Sequence, residues 1–188
     1  MGLGLLAELG AAAPHAVADD PGPPGVTISL TVPDVGQSEM FGLSAPAGDL
    51  VSMGAPVTAT ESGTTFLEYS AHLRPVTLTD NRPGLLAWSV VGELTDFSDG
   101  LVFGRFAGWT PEVVADGIGA EAGPPVAPGY PGPAAGLHSA RVLASAPDGH
   151  NGVPGPGASV IGGAVTLHVP TSTPGGSYQA VLTLTALS

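Results

Sequence analysis

The sequence contains no cysteine and no lysine, and its only cations besides histidine are Arg74, Arg82, Arg105 and Arg141. The absence of cysteine excludes disulfides, thiolate metal sites and a cysteine nucleophile. Sixteen Asp and Glu residues bring the formal net charge to −12. Nucleic-acid binding depends on Lys and Arg that neutralise phosphates, so this chain has too few cations for that role. The same argument disfavours an anionic membrane surface and favours cationic partners or divalent ions.

The N-terminal segment is apolar but short. Residues 2–13 are apolar apart from Glu8, and Ala16–Ala18 has the small-x-small pattern of a signal-peptide cleavage site. We therefore predict that residues 1–18 are the remnant of a secretion signal and that residues 19–188 form one domain. The alternative is a short amphipathic helix packed on that domain. No later stretch reaches the roughly 20 apolar residues that cross a bilayer, so we expect no membrane span.

Glycine (29 residues) and proline (20) are abundant and separate many short alternating segments. The clearest alternation, with apolar side chains on one face, falls at residues 26–32, 86–94, 165–169 and 178–185. Eight to ten such strands, with no amphipathic helical pattern after the leader, predict an all-β fold. The expected architecture is an antiparallel β-sandwich of Ig-like or Greek-key type, or an open barrel. The Gly/Pro/Ala-rich segment 116–136 is predicted to be a long surface loop.

Local patterns also predict how strands begin, end and pair. Residues 65–73 and 76–79 are expected to be separate strands, and Leu86 is expected to face the core. A short strand is predicted at Leu101–Phe106. The Gly/Pro-rich segment Pro170–Gly176 lies between two alternating runs and is typical of a hairpin turn.

The two tryptophans are predicted to differ in burial. Trp88 lies within an apolar stripe, so we expect a core indole near Leu182 or Leu184 whose N–H donates to a backbone carbonyl. Trp109 lies beside Gly and Pro at a strand end, where a half-exposed ring is expected. Exposed rings stack on sugars, so Trp109 and Tyr130 are the candidate ligand contacts, with simple packing as the alternative. Trp88→Ala should then unfold the protein, whereas Trp109→Ala should fold normally.

Two separated segments resemble the WxL-type surface domains of Gram-positive bacteria. The first comprises Val76–Arg82, Trp88–Val90 and Thr95–Phe97, which resemble the family pattern of a Val-Thr-x-Thr-Asp-Asn-Arg run, a Trp-containing strand and an Asp-Phe pair. The second is Tyr178–Ala186, which is similar to the family's C-terminal Tyr-x-Ala-x-Leu-Thr-Trp-Thr-Leu segment.

The family motif is kept only in part. Trp88 holds the first tryptophan position, Val90 stands where the family has leucine, and Leu184 stands where the family has its second tryptophan. Members of this family are exported and held non-covalently on peptidoglycan. The resemblance therefore implies a secreted β-sandwich that attaches to the cell wall or acts as an envelope scaffold module. The Ala/Gly/Pro bias without lysine indicates a high-GC actinobacterial source.

Two other functions compete with wall attachment. One is a subunit of an extracellular filament or adhesin complex that self-associates through strand edges, with Val26–Val32 as the donor strand. The other is a Ca²⁺-dependent glycan-binding module, in which Asp80, Asp96 and Asp99 would gather at one end of the sandwich. The expected partners are therefore cell-wall glycan, other surface proteins or further copies of the chain.

The sequence shows no catalytic or metal-binding pattern. The histidines are dispersed without metal-ligand spacing: His15, His72, His138, His150 and His168. His72 and His168 fall on the polar faces of strands, so we expect both to be solvated. There is no Gly-x-Ser-x-Gly elbow and no phosphate-binding loop. We therefore expect a non-enzymatic protein with no cofactor and no metal ion.

Overall fold

The computed structural model describes residues 26–31, 40–46, 51–98, 100–150 and 155–188. Within them, the chain forms strands and one short 3-10 helix, Gly104–Phe106, but no α-helix. The strands are β1 (Val26–Thr31), β2 (Phe41–Ser44), β3 (Val51–Met53), β4 (Val57–Glu61), β5 (Thr64–Asp80), β6 (Trp88–Leu94), β7 (Ala107–Ala115), β8 (Glu121–Ala122), β9 (Arg141–Ala146), β10 (Gly157–Pro170) and β11 (Tyr178–Leu187). The predicted all-β fold is confirmed. The predicted secretion signal lies outside the described residues.

The strands form two mostly antiparallel sheets. Sheet A has the order β3-β1-β11-β6-β9-β8, and sheet B has the order β2-β5-β10-β7 with β4 also paired to β5. Among the ladders of the described residues, the one between β1 and β11 is parallel. Both sheets contribute to one apolar core, for example Ile28 and Leu182 from sheet A and Tyr69 and Leu167 from sheet B. None of the helical segments in the described ranges is long and apolar enough to span a bilayer.

β5 is one continuous strand of 17 residues, where the alternation predicted two. Its core-facing positions are odd-numbered as far as Leu73 and even-numbered from Val76. The ladder with β10 shifts register at the same place, between Ile161 and Gly163. A bulge that puts an extra residue on one strand reverses which alternate positions face inward. Both halves of β5 can therefore face the same core.

The predicted hairpin at Pro170–Gly176 is wrong. β10 belongs to sheet B and β11 to sheet A, so this segment crosses between the sheets. The Tyr178 hydroxyl donates a 2.5 Å hydrogen bond to the Pro174 carbonyl and braces the crossing. Alternation on both sides of a turn does not distinguish a hairpin from a crossing, because both connections join two half-buried strands.

The predicted strand at Leu101–Phe106 is also wrong. Its last three residues form the 3-10 helix, and strand β7 starts only at Ala107. Ala107, Trp109 and Pro111 are buried along β7, whereas Thr110 and Glu112 between and after them are exposed. Pro111 does not end the strand because β7 is the last strand of sheet B, where a missing N–H on the outer edge breaks no ladder.

The long segment 116–136 is mostly irregular, as predicted, but it is fixed at several points. The Asp116 carboxylate accepts hydrogen bonds of 2.8 Å from the Ser159 hydroxyl and from the Ala120 backbone N–H. Burial raises the pKa of Asp116, but these bonds outweigh burial and lower the pKa below its ordinary value. Further along, Trp109 and Val126 exchange two backbone hydrogen bonds. The loop is thereby tied to the edge of sheet B.

Candidate functional site

Polar and aromatic side chains concentrate at the two ends of the sandwich. One end carries the end of β5 and the start of β6, with Asp80 and Trp88; we call it the motif end. The other end carries the start of β5 and the end of β10, with Phe66 and His168; we call it the aromatic end. Phe66 and Asp80 are 14 positions apart on β5, so roughly 45 Å of extended strand separate the two ends.

At the motif end, Asp80 is fully buried and bonded to Arg82. The Arg82 Nε donates to Asp80 Oδ1 at 2.9 Å, its Nη2 donates to Oδ2 at 2.6 Å, and its backbone N–H donates to Oδ1 at 3.0 Å. The guanidinium lies 4.2 Å from the centre of the Phe41 ring. Burial raises the pKa of Asp80, but the hydrogen bonds from Arg82 and the close approach of the His150 ring outweigh burial and lower the pKa to about 2. The carboxylate therefore stays ionised and fixes the turn after β5.

His150 completes this buried cluster. Its Nε2 lies 2.9 Å from Asp80 Oδ2, which is an ion-pair distance. Neither ring nitrogen, however, makes a well-aligned hydrogen bond within the described part of the chain. His150 also has a φ of 45°, a left-handed backbone that is uncommon for residues other than glycine. His150 is itself buried, with only 1% of the residue exposed.

An open cleft of about 430 Å³ adjoins the cluster. It is lined by Met40, Asn81, Arg82, Pro83, Gly84, Leu85, Gly155 and Pro156. The Leu85 side chain on its wall and the neighbouring Leu86 are exposed. The inward orientation predicted for Leu86 is wrong because regular strand begins only at Trp88.

Trp88 is buried, as predicted, with 3% of the residue exposed. The strand register does not confirm Leu182 or Leu184 as the predicted neighbours of Trp88. Leu184 pairs with Gly92 and Leu187 pairs with Ser89, so Leu184 lies about four residues further along β6 from Trp88. The indole N–H also lacks the predicted carbonyl, since it has no hydrogen-bond partner among the described residues.

Trp109 is also buried, with 2% exposed, so the prediction of a half-exposed ligand-contact ring is wrong. A Cβ at Gly92 would lie 2.6 Å from the Trp109 ring and 2.7 Å from the Leu184 side chain. The ring and Leu184 therefore meet above Gly92, where no side chain intervenes. Trp109 belongs to sheet B, and its ring fills the space beside Leu184 on sheet A.

Five rings form a continuous series at the aromatic end, which we call the aromatic row. The distances between the centroids of successive rings are 5.3 Å for Phe103–Phe106, 5.0 Å for Phe106–Tyr130, 6.2 Å for Tyr130–Phe66 and 4.2 Å for Phe66–His168. Phe103 is 40% exposed and Tyr130 is half-buried, whereas the other three rings are buried. Two aromatic side chains are therefore accessible and are backed by a packed aromatic support.

Polar groups border the far end of the aromatic row. His168 Nε2 lies 3.2 Å from Glu68 Oε2, and His168 Nδ1 lies 2.8 Å from the Tyr130 carbonyl oxygen. Glu68 faces His168 directly across the ladder between β5 and β10, and a third of its side chain is exposed. The prediction that His168 is solvated is wrong, because both ring nitrogens contact acceptor groups of the chain.

Arg105 holds the turn that carries Tyr130. Its Nη1 donates to the carbonyl oxygens of Gly129 at 3.1 Å and Gly132 at 3.0 Å. The guanidinium also lies 4.7 Å from the centre of the Phe106 ring. In addition, the Gly129 N–H donates to the Arg105 carbonyl at 2.6 Å. The backbone of the Tyr130 turn is thereby fixed against the segment that bears Phe103.

The predicted acidic cluster for Ca²⁺ does not form. Asp80 lies at the motif end and Asp96 at the aromatic end, while Asp99 lies outside the described residues. Asp96 accepts a 2.8 Å hydrogen bond from the Gly104 N–H and lies 3.4 Å from His138. Across the described ranges, no three His, Asp or Glu side chains come together as a metal-binding group.

The structure brings together residues that the sequence did not connect. The sequence predicts Tyr130 as a ligand contact, but it places Phe103 only in a short strand. Glu68 and His168 are 100 positions apart, and His168 and Tyr130 are 38 apart. Periodicity is a local signal, so it could not reveal these contacts.

No protein-family model matches the chain, and a comparison with curated proteins gives no match. The similarity to WxL-type domains therefore depends on the motif residues quoted above.

Proposed function

We propose that the chain is a secreted, non-enzymatic surface module that attaches non-covalently to cell-wall glycan through the aromatic row. The observation that carries the proposal is the pair of accessible aromatic side chains, Phe103 and Tyr130, next to the partly exposed carboxylate of Glu68. The resemblance to wall-bound WxL-type domains supports the same role. In that role the module would act as an attachment or scaffold element of the bacterial envelope.

The chemistry of the aromatic row suits a sugar ligand. An aromatic ring offers a flat apolar face and packs well against other flat apolar surfaces, such as the C–H face of a pyranose ring. A neighbouring carboxylate can accept hydrogen bonds from sugar hydroxyls. Phe103 packs edge-on against the buried Phe106 ring, with their planes at 90°. Little side-chain entropy is lost on binding when the contact residues are already held in place.

Co-sedimentation with isolated actinobacterial cell walls tests the proposal. We expect Phe103→Ala to lose retention by up to about tenfold, since one aromatic contact contributes about 0.5–1.5 kcal/mol. Phe103→Tyr keeps the ring and should keep most of the retention. Leu85→Ala is the matched control, because Leu85 is a similarly exposed apolar residue (48%) at the opposite end of the sandwich.

Two results would contradict the proposal. If wild-type protein is retained no better than an unrelated acidic protein, wall attachment is wrong. If Leu85→Ala reduces retention and Phe103→Ala does not, the wall contact lies at the motif end and not on the aromatic row.

A further inference from the structure

β1 lies in sheet A between β3 and β11, the last strand of the chain; we call this position the slot. It pairs in parallel with β11 over six positions, from Val26 opposite Tyr178 to Thr31 opposite Thr183. On its other side, the ladder to β3 covers only three positions and ends at Ile28. Among the described residues, β1 therefore has one full neighbour and one partial neighbour.

Alternate side chains of β1 enter the core when the strand lies in the slot. Val26 and Ile28 are buried at 3% and 1% exposure and belong to the common core. Thr27 and Ser29, which follow these two residues in turn, are half-buried, and Thr31 is exposed. The apolar side chains hold the strand in the core, and the ladder to β11 fixes its direction and register.

We infer that the slot between β3 and β11 accepts β1 from a second copy of the chain, so that copies assemble by strand exchange. Exchange of an identical element replaces every contact by the same contact, which makes it a low-cost route to association. The pairing joins Val26 to Tyr178, far apart in sequence, and parallel strands are not joined by a tight turn. No hairpin therefore obliges β1 and β11 to come from one molecule.

The chain length between β1 and the rest of the fold permits the exchange. Eight residues, 32–39, separate Thr31 from Met40, and eight residues span at most about 26–29 Å. The second copy must therefore bring its Met40 within this distance of the slot that its β1 enters. The inference is independent of the wall-attachment proposal, because it uses sheet A and not the aromatic row.

Engineered cysteines test the exchange cleanly, because the chain has none of its own. Full-length Thr27→Cys and Gln179→Cys proteins carry their thiols at directly paired positions of β1 and β11. The two proteins are mixed, opened briefly in urea below the unfolding midpoint, returned to buffer and oxidised. We expect a disulfide-linked species of twice the chain mass on a non-reducing gel, and oligomers of the unmodified chain by light scattering after the same treatment.

The control mixture pairs Thr27→Cys with Thr185→Cys. Thr185 lies on the same strand and the same face as Gln179, but six residues away, or about 20 Å. Cross-linking of the Gln179→Cys mixture that does not exceed this control several-fold overturns the inference. A Thr27→Cys/Gln179→Cys double variant should close an internal disulfide in untreated protein. If it does not, the slot register itself is wrong and the inference also fails.

Discussion

At the scale of single residues, an absent side chain at Gly92 explains the packing of the core between the two sheets. Any Cβ at this position would lie within 3 Å of both the Trp109 ring and Leu184. A larger ring at Leu184 would compete for the same space. The chain therefore combines a leucine on β11 with a tryptophan from the opposite sheet.

Trp109→Ala should therefore destabilise the protein strongly, in contrast to what the sequence alone predicts. Truncation of a buried tryptophan costs about 3–5 kcal/mol, a large part of the roughly 5–15 kcal/mol that stabilises a domain. We expect a similar loss for Trp88→Ala, measured as the free energy of urea unfolding. Phe103→Ala is the exposed aromatic control and should change the free energy by less than about 1 kcal/mol. A wild-type unfolding curve for Trp109→Ala would show that its ring does not support the core.

At the scale of structural elements, Asp80 joins three segments that the chain order keeps apart. It ends β5, bonds Arg82 in the following turn and contacts His150 in the segment between β9 and β10. The ordinary pKa of this carboxyl, 3.8, falls to about 2 in the folded protein. The folded state therefore binds fewer protons than the unfolded chain between these values, and the interaction stabilises the fold whenever the carboxylate is charged.

The contribution of Asp80 to stability should be complete above about pH 4 and should disappear as the pH falls through about 2. Its size is roughly 2 kcal/mol, from a pKa difference of nearly two. The measurement is the free energy of unfolding of wild type and Asp80→Asn across this range. We expect the gap between the two proteins to narrow by about this amount toward pH 2. A gap that stays constant across the range would contradict the depressed pKa.

The sequence predicted the elements better than their connections. Strict alternation located β1, β6 and β11, because a half-buried strand has the same period whatever its partners are. The prediction from alternation was wrong at Pro170–Gly176, because a crossing between sheets uses the same turn residues as a hairpin. It was also wrong at Leu101–Phe106, because a 3-10 helix there resembles the end of a strand in sequence. The aromatic row and the Asp80 cluster could not be predicted, because each depends on contacts between distant parts of the chain.

At the scale of the whole molecule, the charge balance is far from neutral. Sixteen carboxylates face four arginines. Arg82 is already committed to the buried Asp80, and Arg105 and Arg141 donate to backbone carbonyls of Gly129, Gly132 and Gly136. Most of the acidic surface therefore repels itself, which opposes the compact state.

Added salt should raise the melting temperature of the protein, because it screens this repulsion over distances beyond about 10 Å at 0.1 M. CaCl₂ at matched ionic strength should raise it by a similar amount, since no cluster of three metal-ligating side chains forms among the described residues. Differential scanning calorimetry in NaCl and in CaCl₂, with a second scan of each sample after EDTA is added, distinguishes ionic screening from specific Ca²⁺ binding. A Ca²⁺-specific rise that EDTA reverses would favour the Ca²⁺-dependent glycan-binding alternative.

The parallel ladder between β1 and β11 also determines how the fold would respond to a pulling force. Tension applied at Val26 and at Leu187 would draw the two strands past each other along their length. All six paired positions would then bear the load together, whereas an antiparallel hairpin pulled at its open end separates one pair at a time. Rupture under tension is governed by the unfolding rate, and shared loading should keep that rate low. A module tethered between a wall and a moving surface would gain mechanical resistance from this one pairing.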